Sequence, residues 1–204
     1  MDLKKTVDLQ VESKEEIIQW KKGVRVLGIS ESFSKEQEKS TVVGVIMRGD
    51  RRVDGFGFCR PEVGGMDVSK NLLKMYSKLE RDDIRAWILG GTAISWFNIV
   101  DIVSLYEESG IPVVAVSYNP SDGIDQYIKQ YFPKDWKERL EVFHRGPERE
   151  AINLRHGYRV FIRYIGFSKM SAVNLINAFT IDGRIPEPVR MARLIASAIQ
   201  RDLL

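Results

Sequence analysis

Cysteine is almost missing from this sequence: Cys59 is the only one in 204 residues. No intrachain disulfide and no all-cysteine zinc site can form, and such usage fits a reducing compartment. Histidine is nearly as scarce. His144 and His156 lack metal-ligand spacing and read as structural or surface residues. No apolar run is long enough to span a bilayer. Met1 to Glu16 carries no hydrophobic signal core. A cytoplasmic protein with no membrane role and no targeting segment is expected. A large excess of one charge is also missing. The net charge is +3, so bulk electrostatics do not announce a nucleic-acid partner, and local clusters of Lys and Arg would have to do so. Repeats and low-complexity tracts are absent.

What is present suits one α/β domain. Hydrophobic residues make up 44% of the chain, enough for a sizeable core. Residues 1–22 read as a polar, lysine-rich extension whose Glu15–Trp20 piece docks on the core, and residues 23–204 as the domain. Val24–Ile29, Thr41–Arg48 and Val53–Phe58 are β-branched or alternating runs with short links. They predict an antiparallel meander. Val68–Leu79 places Leu72, Leu73, Met75, Tyr76 and Leu79 at helical spacing. Ala86–Leu89 predicts a fourth strand, Phe97–Ser109 a helix stopped by Gly110, and Pro112–Val116 a fifth strand. Helices are expected at Asp122–Tyr131, Asp135–Phe143, Ser168–Ala178 and Pro188–Leu203, with a late strand at Tyr158–Ile165. Right-handed crossovers put the fourth and fifth strands beside the first. The expectation is an RNase H-like mixed five-stranded sheet of order 3-2-1-4-5, flanked by helices, although periodicity alone also permits another mixed order.

Two sets of residues carry a family resemblance. Arg184-Ile185-Pro186-Glu187-Pro188-Val189-Arg190-Met191-Ala192 resembles a signature near the C-terminus of endonuclease V. Arg25–Ile29, Val42–Gly49, Val53-Asp54-Gly55, Leu89–Thr92 and Phe97–Ile102 resemble a mainly archaeal, endonuclease V-like family of unknown function. Together these marks run from Arg25 to about Ala198. The resemblance implies an RNase H-like fold and DNA or RNA as partners. It also implies Mg²⁺ as the cofactor, wherever carboxylates at the ends of the first and fourth strands and on a helix converge.

Those carboxylates are depleted. Ser30 stands where the first aspartate of the nuclease pattern falls, and Glu31 is one residue along. In a regular strand that step turns a side chain to the other face, unless the strand end frays. Gly90-Gly91 replaces an Asp-Gly pair. The helix offers Lys70 and Asn71 in the matching register, with Asp67 the nearest acid. Ser117-Tyr118-Asn119 follows the fifth strand without the nuclease lysine, and Arg193 stands in place of a histidine. If cleavage persists, Glu31 and Asp101 are the catalytic and metal-holding candidates, with Asp54 or Asp67 in support.

The remaining candidates suit an anion. Gly90, Gly91 and Thr92 open toward a helix and either cradle a phosphate or simply make a tight turn. Asn98 and Asp101, one helical turn apart, either line the site with Ser30 and Glu31 or cap the helix. Arg184, Glu187 and Arg190 surround two prolines. Either Arg184 meets a phosphate, or the segment serves only to start a helix. Basic clusters occur at Arg48, Arg51 and Arg52, at Arg159 and Arg163, and at Arg190, Arg193 and Arg201. Three functions remain open: a catalytically degenerate protein binding nucleic acid or a nucleotide, a divergent Mg²⁺-dependent endonuclease, or a protein-interaction module. Of these the first is preferred, because the scaffold is kept while its metal-ligand charge is lost.

Overall fold

The computed structural model describes residues 20–120 and 123–202. Strands β1 (Arg25–Ser32), β2 (Thr41–Arg48) and β3 (Val53–Cys59) form the expected antiparallel meander. After α1 (Val68–Leu79), β4 (Ile84–Leu89) joins β1 in parallel. A small hairpin follows, β5 (Ala93–Ile94) and β6 (Asn98–Ile99), then α2 (Ile102–Ser109) and β7 (Val113–Ser117), which is parallel to β4. The chain continues through α3 (Ile124–Tyr131), α4 (Trp136–Arg145), β8 (Glu150–Asn153), β9 (Arg159–Ile165), α5 (Lys169–Phe179) and α6 (Glu187–Asp202).

The main sheet runs β3-β2-β1-β4-β7-β9-β8. Its first five members are the RNase H-like order expected. The sheet nevertheless has seven strands rather than five, because the β8–β9 hairpin adds antiparallel to the free edge of β7. β8 escapes a periodicity reading because only Ile152 of its four residues is buried. The helix expected from Phe97 begins at Ile102 instead. Phe97–Val100 is apolar enough to imitate a helical turn, but Asn98 and Ile99 pair back onto Ala93 and Ile94. The Glu15–Trp20 docking piece, the start of the Asp122 helix and the end of the last helix fall outside the described residues, apart from Trp20. Its Nε1 donates to the Ser171 carbonyl at 3.3 Å and its ring meets Phe167 edge-on. No helix among the described residues is long and apolar enough to cross a membrane.

Period-two alternation splits the core into two layers. Leu27, Ile29, Trp87 and Leu89 pack with α1 and α2 residues such as Leu72, Met75 and Leu105. On the other face Val26, Ile88, Val114 and Val116 pack with Leu175, Ile176 and Phe179 of α5. Val43 and Val45 pack with Ala192 and Ala196 of α6. Phe179 is wholly buried, a burial worth on the order of 2–3 kcal/mol. The first turn of α6 lies so close to β1 that a Cβ added at Gly28 would collide with Pro188. That approach fixes where α6 passes over the strand ends.

Candidate functional site

β1 stays paired through Ser32, opposite Thr41, so its end is not frayed. Alternation then directs Ser30 to the α6 face and Glu31 to the α1 face. Beside the carboxyl end of β1 lie two adjoining cavities of about 400 Å³ each, the first against the β5–β6 hairpin and α3 and the second reaching the ends of β4 and β7, and Glu31 and Phe33 line both. Such strand ends are where open α/β sheets take ligands.

The first cavity is aromatic. Trp96, Phe97, Tyr127 and Tyr131 line it with Phe33 and Lys35. Tyr131 stacks on Phe97 and on Tyr127 at 6.2 and 6.5 Å between centroids, and the Lys35 ammonium sits 4.1 Å from the Trp96 ring centre. Ser95, Trp96 and Phe97 form the β5–β6 turn with φ of 46°, 53° and 58°. Three consecutive side-chain-bearing residues in the left-handed region cost on the order of 1–2 kcal/mol each, so the surroundings must hold them. The Ser40 and Ser95 hydroxyls bond at 2.6 Å, and the Gly64 amide donates to the Ser95 carbonyl at 2.7 Å. Arg139, only 4% exposed, donates to the carbonyls of Phe97, Gly64 and Gly65 at 3.0, 2.7 and 2.9 Å. Its charge is met by Asp135 at 2.7 Å.

The second cavity is polar and holds one charge of each sign. Ser30, Gly90, Tyr118, Arg193 and Ser197 line it with Glu31. Val189, Arg193 and Ser197 are four residues apart on α6 and so share one stripe. A Cβ at Gly90 would lie 3.0 Å from the Val189 side chain, so glycine lets the helix close over the strand end. Two side-chain atoms here are buried without a hydrogen-bond partner: Glu31 Oε2 and the Tyr118 hydroxyl. Burial pushes the Glu31 carboxyl above its ordinary range, while the Ser95 backbone N–H and the Arg193 charge pull the other way. Burial likewise raises the Tyr118 phenol, opposed by Arg193 and Arg184. Native proteins leave few such atoms orphaned, and two in one cleft mark a place where a ligand's polar groups would be satisfied.

The sequence-derived candidates separate into two groups. Ser30, Glu31 and Gly90 meet at the second cavity, with Gly91 (φ 119°) and Thr92 leading from it into β5. Arg184 approaches from the side, donating to the Tyr118 carbonyl at 3.0 Å. Asn98 and Asp101 do not share a helix, because Asn98 lies in β6. Asn98 is fully buried. Its side chain accepts from the Val68 amide at 3.2 Å and donates to the Glu62 carbonyl and Asp67 at 2.9 and 2.8 Å. Asp101 caps α2, accepting from the amides of Val103 and Ser104 at 3.0 and 3.1 Å, and pairs with Arg145 at 2.8 Å. Glu187 is buried at the start of α6 and clamps Arg190 at 2.7 Å. None of these four lines either cavity.

A hard divalent cation wants several oxygen ligands in near-octahedral array. Glu31 is the sole carboxylate lining the second cavity, and its chief electrostatic partner there is a guanidinium. Asp67 is occupied by the Glu62 amide and the side chains of Asn71 and Asn98. Asp54 stands at the opposite end of the sheet, beside Arg25 and Arg81. Among the described residues no group of three metal-ligating side chains exists. The residues at the strand ends therefore do not fit a carboxylate-bound Mg²⁺. They fit an anion beside a planar ring, with arginine and hydroxyl donors on one side and aromatic faces on the other.

Pattern reasoning does not reach Arg139. It is one arginine in a charged helix, and nothing in its neighbourhood signals burial. Arg193 carries a trace, as a departure from the nuclease pattern and a member of the α6 basic stripe. Trp96-Phe97, shortly after Gly90-Gly91-Thr92 and separated from it by Ala93, Ile94 and Ser95, is the one signal that could have pointed to the aromatic cavity.

Comparison with known proteins agrees with this fold. The sequence pattern of the Endonuclease dU family matches residues 22–200. A UPF0215 protein of Thermococcus gammatolerans is 34% identical over 183 residues, covering 86% of this chain and 92% of that protein. A crystal structure of a protein of unknown function from Archaeoglobus fulgidus superposes with a TM-score of 0.77 at 31% identity, over 87% of this chain and 99% of the other. Endonuclease V from Ciona intestinalis, bound to a 24mer DNA containing an inosine followed by a ribo-adenosine, superposes with a TM-score of 0.60 at 15% identity. That match covers 89% of this chain and 87% of the endonuclease, and the likeness is one of fold.

Proposed function

We propose a function on the premise that this chain belongs to the Endonuclease dU family: it binds single-stranded or locally opened nucleic acid at the ends of β1, β4 and β7, and its residues are arranged for holding a nucleotide rather than for hydrolysis through carboxylate-bound metal. A base stacks against the aromatic wall formed by Trp96, Phe97 and Tyr131, where stacking is worth about 1–3 kcal/mol per base. The adjoining phosphate meets Arg193 and the Tyr118 hydroxyl. The observation that carries this reading is the orphaned pair, Glu31 Oε2 and Tyr118 hydroxyl, beside Arg193 in a cleft whose strand ends carry serine and glycine. Support also comes from a fold neighbour that holds DNA.

The test is fluorescence anisotropy with single-stranded and structured DNA and RNA across a salt series. Binding should be tightest at low salt and weaken linearly on logarithmic axes, because each phosphate contact releases counterions. Phe97→Ala should weaken it about tenfold. No binding at low salt overturns the proposal and favours a protein-interaction role. The same oligonucleotides incubated with Mg²⁺ or Mn²⁺ test the alternative of a divergent endonuclease. That alternative requires cleavage that Glu31→Gln abolishes.

A further inference from the structure

We propose that Arg193 is the resident cation of this site: its guanidinium takes the position that a divalent ion would need between the ends of β1 and β4, so the bound phosphate is held without metal. The inference rests on the nucleic-acid reading above but makes a separate claim about what supplies the positive charge.

Four observations converge on it. First, the cavity that Arg193 lines is bounded by Ser30 at the end of β1 and Gly90 after β4. In the nuclease pattern that the sequence resembles, these two positions carry metal-holding carboxylates, and here neither does. Second, Arg193 makes no hydrogen bond and no ion pair among the described residues, so its five N–H donors are available. Other arginines near the site are committed. Arg139 holds three carbonyls and Asp135, Arg145 pairs with Asp101, and Arg184 donates to the Tyr118 carbonyl. Third, Arg193 is the positive group that acts electrostatically on both Glu31 and Tyr118, the two residues with orphaned buried atoms. A guanidinium already there would repel a second cation. The partly desolvated Glu31 alone gives that cation little in return. Fourth, the placement is built in. Gly28 admits Pro188, Gly90 admits Val189, and Ala192 and Ala196 pack on Val43 and Val45. The helix is thus fixed on both sides of Arg193, which presents a planar fork suited to two phosphate oxygens.

The experiment has two readouts on the full chain. In the first, binding of a single-stranded oligonucleotide is followed by anisotropy in EDTA and in Mg²⁺ at matched ionic strength, for the wild type, Arg193→Ala and Arg193→Lys. The expected result is wild-type affinity equal within about twofold in the two buffers. Arg193→Ala should weaken it by about tenfold or more, with a salt slope shallower by about one ion, and Arg193→Lys should recover part of the loss. In the second, Mn²⁺ is titrated into the free protein and followed by electron paramagnetic resonance. The wild type should show no stoichiometric uptake.

Nucleic-acid binding that requires Mg²⁺, or that survives Arg193→Ala unchanged, overturns the role of Arg193 and leaves the binding function standing. Uptake of one Mn²⁺ per chain that Glu31→Gln removes also overturns it. If no oligonucleotide binds in either buffer, the function proposed above falls, and the Mn²⁺ titration alone decides whether the site takes a metal. Arg193 is an exposed helical residue with no packing role in the core, so both variants should fold, as circular dichroism would verify.

Discussion

At the amino ends of β1 and β4, Arg25 and Arg81 alternate with Asp54 and Asp83. Arg81 reaches the two carboxylates at 3.0 and 2.8 Å, and Arg25 meets Asp83 at 3.2 Å and Asp54 closer still. At the carboxyl ends of the same strands, Glu31, Tyr118 and Arg193 share a cavity with no hydrogen bond among them. The first end is complete: each charge faces its opposite, and nothing further is needed from outside. The second end carries a desolvated acid and an unpartnered phenol, each of which costs stability, beside an exposed guanidinium. Proteins tolerate such arrangements where a ligand completes them. The completed end is therefore structural, and the incomplete end is the one to which the proposed function assigns the ligand.

Arg139→Met should have the largest effect. It leaves the carbonyls of Phe97, Gly64 and Gly65 without their donor and Asp135 without its partner. Urea unfolding should report a loss of about 3 kcal/mol. A loss below about 1 kcal/mol would mean that the left-handed turn at Ser95–Phe97 does not depend on this clamp.

Glu31→Gln should act in the opposite direction. The folded-state pKa of Glu31 lies above its ordinary value of 4.5, so the native state holds that proton more tightly than the unfolded chain does. Stability then falls as pH rises from about 4.5 through the folded value. The glutamine variant should melt higher than the wild type at pH 7, with the difference vanishing below the ordinary carboxylate range. A lower melting temperature at neutral pH would show that Glu31 is not an unsatisfied charge.

The smallest effect belongs to Asp54→Asn. The hydrogen bond from Arg25, then that from Arg81, holds the Asp54 carboxyl below its ordinary value of 3.8. Its contribution is present above that range and is lost as pH falls through it. The side chain is about one-third exposed, so the change in urea midpoint should be slight, should shrink further in high salt and should leave oligonucleotide binding untouched. Impaired binding in this variant would erase the distinction between the two ends.

The sequence revealed the fold and the site to different depths. α1 and β2 were readable to the residue, since Leu72, Met75 and their neighbours keep helical spacing and Val42–Met47 is a continuous buried run. The β5–β6 turn was not. Its apolar residues imitate a helix start, and left-handed conformations in Trp96 and Phe97 run against local preference, held only by distant partners such as Arg139 and Ser40. Within the site, Ser30, Glu31 and Gly90 were identified because strand ends can be counted and a family pattern compared. Asn98, Asp101 and Glu187 carry side chains equally suited to ligands and to internal bonds. Only their observed partners show that the internal bonds are made.

The most direct measurement is hydrogen exchange with mass spectrometry on the protein with and without a saturating single-stranded oligonucleotide at low salt. New protection is expected in peptides spanning residues 30–33, 95–97, 117–119 and 190–197, with exchange at 54 and 81–83 unchanged. Protection confined to the Arg25–Asp54–Arg81–Asp83 end, or none in the strand-end peptides despite bound oligonucleotide, would contradict the proposed site.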